Sequence, residues 1–86
     1  MNNVILRKVT VSPEWQPLSL SRLVASVTIS ALPGNAGDLI FRSVDEPAHE
    51  VPVAAGQSHE FKRIDLSRLM VSGEAGDVVT VVGGTW

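Results

Sequence analysis

The chain has 86 residues, no cysteine, and seven basic against nine acidic side chains for a net charge of -2. That length is read as one domain spanning 1–86 with no linker, able to bury roughly 60% of its unfolded surface, and the lack of cysteine rules out disulfides and thiolate zinc centres as staples. Scattered basic residues and only four aromatics argue against a nucleic-acid footprint, a base-stacking platform or an aromatic sugar-binding strip; the start lacks a secretory signal and no apolar run could span a bilayer, so a soluble chain made in a cytoplasm is expected.

Valine, isoleucine and threonine dominate the apolar segments, and glycine or proline interrupts them at short intervals, which predicts an all-β domain. Val4 to Val11 reads as a first strand closed by Ser12-Pro13, and Trp15, between Pro13 and Pro17, is expected to plug one end of a sandwich. From Leu23 to Leu32, Leu23, Ala25, Val27, Ile29 and Ala31 alternate with Ser26, Thr28 and Ser30, giving one core face and one polar face. Pro33 to Asp38 is a turn, because proline presets φ and glycine supplies positive φ without steric cost. Leu39 to Ser43 then returns as a strand, and these two strands are expected to pair as a hairpin.

Asp45 to Pro52 reads as an acidic connection with two prolines, too polar for a core strand. In the strand Gln57 to Ile64 only Phe61 and Ile64 resemble core anchors. Asp65 to Leu69 fits one helical or 3₁₀ turn, capped by the Asp65 side chain. Met70 to Ser72 resumes extended structure, and Gly73 to Asp77 turns the chain into a final strand. In that strand Val78, Thr80 and Val82 share one face while Val79 and Val81 share the other, so both faces seek burial: in the middle of a sandwich, or beneath another subunit. Gly83-Gly84 is read as a tether for Trp86, which is left open to dock on a neighbour, fold back on its own sheet or stay disordered. Leu20 to Val24 echoes Leu66 to Met70, an echo attributed to coincidence because true repeats recur at a fixed period.

The polar residues offer little chemistry. Asp45, Glu46, His49 and Glu50, with His59 and Glu60 nearby in sequence, have metal-ligand side chains, but their spacing matches no established metal pattern, and a solvated acidic loop is the favoured reading. Ser58, His59 and Glu60 alternate faces on a strand and cannot hydrogen-bond in series as a catalytic triad must. The glycines lack the lysine-serine/threonine ending and the strand-to-helix context of a phosphate loop. No catalytic, cofactor or metal site is expected.

The runs Asn35 to Phe41, Pro52 to Ser58, Ile64 to Gly73 and Ala75 to Val81 together resemble the turn-and-strand grammar of small tailed-phage virion proteins, over about half the chain. Pro-Gly often precedes the strand in that family, where this chain has Ala55-Gly56, and the N-terminal third shows no match. The resemblance implies a compact antiparallel β-sandwich, jelly-roll-like, that forms a homodimer or homotrimer and binds the major capsid protein or another virion protein. The implied role is a decoration or cement protein on the capsid surface. A head-tail or tail-fibre component is the structural alternative, and a small sugar- or metal-binding module is the alternative from another class. A chain without staples gains most from association, so interface contacts are expected at Val79, Val81 and Trp86, with Arg42 and Arg68 as rim charges.

Overall fold

The computed structural model describes residues 3–85. Eight strands fold in chain order: β1 (Val4–Thr10), β2 (Gln16–Pro17), β3 (Val24–Ala31), β4 (Leu39–Ser43), β5 (Glu46–Val53), β6 (Ser58–Asp65), β7 (Leu69–Ser72) and β8 (Val78–Thr85), with a 3₁₀ turn at Leu66–Arg68 before β7. They form two four-stranded sheets, β1-β8-β3-β6 facing β2-β7-β4-β5, in which every pairing is antiparallel. This order is the double-sheet jelly roll. The all-β sandwich and its single helical turn are therefore as the sequence predicts.

The alternation of β3 explains why it lies at the centre. Ala25, Val27, Ile29 and Ala31 are each 2% exposed or less. They meet Val79 and Val81 of β8 within the first sheet and Leu39, Phe41, Val53 and Val71 from the second, in one contiguous core. At about 25 cal/mol per Å² of apolar surface removed from water, this layer is the main favourable term in folding. Val11 and Leu18, which precede β3, and Leu66, on the 3₁₀ turn, complete it.

Three local expectations change. β3 and β4 are not a hairpin: β3 pairs with β6 and β8, β4 with β5 and β7, and the turn between them carries the chain from one sheet to the other. The supposed acidic connection is the edge strand β5, whose Pro47 and Pro52 are tolerated because an edge strand leaves one side of its backbone unpaired. Gly83 and Gly84 do not form a loose tether, since β8 runs through them to Thr85. A Cβ at Gly83 would stand 2.0 Å from the Ser26 carbonyl oxygen and 2.7 Å from Val27 Cα, so only glycine lets β8 lie this close to β3.

A bulge explains how Phe61 and Ile64, three residues apart, both anchor the core. Val27 pairs with Phe61 and Ala25 with Ile64, so Ser26 alone faces Lys62 and Arg63. The extra residue resets the alternation. It requires Arg63 at φ 53°, in the left-handed region, with its backbone N–H donating to Ser26 Oγ at 3.1 Å.

Polar side chains fix the crossings. Buried Asp77 accepts from the backbone N–H groups of Ala36 and Gly37 at 2.9 and 3.0 Å, tying the β7–β8 turn to the β3–β4 turn. Asp65 caps the 3₁₀ turn as predicted: its Oδ1 accepts from Ser67 N at 3.0 Å and Ser67 Oγ at 2.7 Å, and also from Leu23 N at 3.1 Å. These bonds hold its carboxyl below the usual range, the Ser67 hydroxyl contributing most. The two echoing segments thus meet through one carboxylate.

Candidate assembly surfaces

Two features of the surface are built by the strand register. The first lies on the outer face of the β1–β8–β3–β6 sheet. Val4, Ile5 and Leu6 are consecutive apolar residues on an edge strand, so burying Ile5 in the core turns its neighbours to solvent. Leu6 is 71% exposed and sits opposite Val82, itself 49% exposed, with Val4 at 78% on the next outward position. Lys8 follows on the same face. Arg7 has the inward phase, and its guanidinium donates to the Leu18 carbonyl at 3.1 Å, tying the edge strand to the segment that follows β2.

The second feature is a groove of about 410 Å³ where edge strands β5 and β6 fail to close over the core. Its apolar lining is Ile29, Phe41, Val51, Val53, Phe61 and Leu69. Val51 pairs with buried Phe41 and shares its phase, yet is 53% exposed because β5 and β6 splay apart. Glu46, His49, His59 and Glu60 also line the groove.

The residues singled out as contacts are dispersed. Val79 and Val81 are fully buried in the core, so the apolar side of β8 that a neighbour can reach belongs to Val82. Arg42 stacks on Trp15, its guanidinium carbon 4.1 Å from the ring centroid, and lies 4.0 Å from Glu50. Trp15 is half-buried beneath that cation. Arg68 pairs with Asp45, which keeps its guanidinium protonated to higher pH than usual, the hydrogen bond to Asp45 being the larger cause. This pair is exposed, a setting in which ion pairs contribute little to stability. Trp86 lies outside the described residues.

The polar cluster is brought partly together. His49 and His59, from different sheets, line one groove with Glu46 and Glu60, whereas Asp45 is taken by Arg68 and Glu50 faces Arg42. Among the described residues no group of three or more histidine, aspartate or glutamate side chains could hold a metal ion. Sequence reasoning missed Val4, Leu6 and Val82. The signal was present in the unbroken run Val4-Ile5-Leu6, which on an edge strand must expose apolar side chains.

The sequence matches no protein-family model and no curated protein. The fold is similar to a solved chain from Bacillus endospore appendages, described as forming a novel family of disulfide-linked pili. The TM-score is 0.66 at 16% identity, and the match covers 99% of this chain and 83% of that one. The likeness is one of fold. It extends over nearly the whole chain, including the N-terminal third that the phage resemblance left unmatched, and the chain it matches is an appendage protein, not a virion protein. The phage-virion reading is corrected accordingly, together with the capsid-surface location and the decoration, head-tail and tail-fibre roles that came with it.

Proposed function

We propose that this chain is a single-domain, non-enzymatic structural subunit that assembles with copies of itself, as a component of a surface appendage. The observation that carries the reading is the solvent-facing apolar cluster of Val4, Leu6 and Val82 on an edge strand and its neighbour. Edge strands of soluble monomers are ordinarily blunted by charge or cover, and clustered apolar side chains on such an edge mark a contact surface. The fold likeness to a pilus-forming appendage chain supports the same reading.

One difference follows from composition. The similar appendage chain belongs to pili described as disulfide-linked, whereas this chain has no cysteine. Its assembly therefore forms without disulfides and answers to mass action.

Sedimentation velocity across a dilution series, with and without a thiol reductant, tests the proposal, and electron microscopy reads the shape of the products. Concentration-dependent assembly that is indifferent to reductant is expected. A chain that stays monomeric to millimolar concentration would sink the reading.

A further inference from the structure

Resting on that reading, we propose that the apolar face of β1 and β8 docks into the β5–β6 groove of a second copy. The two surfaces are complementary in kind. One presents Leu6 and Val82 as adjacent apolar knobs with Lys8 beside them, and the other is an apolar groove that Glu46 also lines. The charges available for pairing also match. Arg42 is engaged by Trp15 and Glu50, and Glu60 has Lys62 at 3.9 Å, which leaves Glu46 with no ion pair among the described residues and Lys8 as its counterpart.

Their positions set the kind of assembly. β1 and β6 are the opposite edges of one sheet, and β5 is the edge of the other sheet that borders the groove with β6. Patch and groove are thus different surfaces at opposite edges of the sandwich. Such a contact is heterologous: it gives a ring if the repeated rotation closes and an open filament if it does not. Docking would also cover Val51 and Phe61, which the splayed edges leave only partly shielded.

The test uses two variants at exposed positions, Leu6→Asp on the patch and Val51→Asp in the groove, each first shown by circular dichroism to melt as the wild type does. Sedimentation of each variant alone is expected to give monomer at concentrations where the wild type assembles. Their equimolar mixture is expected to form a one-to-one dimer and nothing larger, because each copy keeps one intact surface. Lys8→Glu and Glu46→Lys are each expected to weaken association roughly two- to fivefold, and together to restore it.

Wild-type protein that remains monomeric would overturn the self-assembly reading, and this inference with it. Wild-type assembly that survives both variants unchanged would overturn the inference alone, as would variants that give monomer but no mixed dimer. If Val51→Asp abolished binding of the apolar dye anilinonaphthalene sulfonate while self-association stayed intact, the groove would belong to a small apolar ligand and the docking proposal would fall.

Discussion

The side-chain amide of Asn35 completes both backbone hydrogen bonds of Val78, its Nδ2 donating to the Val78 carbonyl at 3.0 Å and its Oδ1 accepting from the Val78 N–H at 2.9 Å. One side chain thus imitates a paired strand where β8 begins beyond the end of β3. Asn35→Ala leaves both Val78 groups without this partner and is expected to lower stability by about 1–3 kcal/mol in urea denaturation. Asn35→Asp keeps the shape but sets a carboxylate against the Val78 carbonyl, and is expected to be no better than alanine.

Gly83 and Gly34 make a contrasting pair. A methyl group at Gly83 collides with backbone of β3, while one at Gly34 meets nothing within 4 Å. Gly83→Ala is expected to cost about 3 kcal/mol or to prevent folding, because backbone cannot move aside as a side chain can. Gly34→Ala is expected to leave the melting temperature within about 2–4 °C of wild type, given that open surface substitutions stay within about 0.5 kcal/mol. Equal effects at the two sites would show that β3 and β8 are not so closely apposed.

The left-handed backbone at Arg63 predicts an order of stabilities. Glycine accepts φ 53° freely, arginine tolerates it at some strain, and a β-branched side chain does not. Thermal melts are expected to rank Arg63→Gly at or above wild type by up to about 1 kcal/mol and Arg63→Val clearly below it. A valine variant as stable as wild type would mean that the bulge is absent.

The lowered carboxyl of Asp65 fixes a pH window. Because its folded value lies below the ordinary one of about 3.9, its stabilisation is complete above that ordinary value and is lost as pH falls through the folded value. Melting temperatures of wild type and Asp65→Asn, compared from pH 7 to pH 2, are expected to differ at neutral pH and to converge below about pH 4. A gap that stays constant over that range would mean that charge on Asp65 contributes nothing.

Much of the fold was legible because strand alternation records which face is buried. β3 displays it without interruption, and its predicted core side chains Ala25, Val27, Ile29 and Ala31 are the buried ones. Partnership was less legible. Pro33 to Asp38 has the composition of a reversal, but a reversal does not state whether the chain returns in the same sheet or crosses to the other. β5 was hidden by its prolines and charges, which suit an edge strand as well as a loop. Gly83 read as freedom when the structure needs it for contact, since sequence alone does not show what lies across from a missing side chain. Val79 and Val81, expected as contacts, are buried in the core, because an apolar residue carries no label for core or partner. The phage resemblance rested on turns and strand beginnings, features that belong to a sandwich fold whatever its task, and so it tracked architecture and missed role.

The place of β8 between β1 and β3 also sets when the molecule can come into being. On a ribosome, β1 and β3 emerge early, yet the strand that joins them is synthesised only after all the other strands. Until residues 78–85 clear the exit tunnel, the two earlier strands have unpaired edges and no middle to their sheet. Pairings between the two ends of a chain are slow to form. Before β8 takes its place between them, β1 and β3 present open strand edges to any neighbouring chain, so the late closure of this sheet is the step at which the protein is most adhesive.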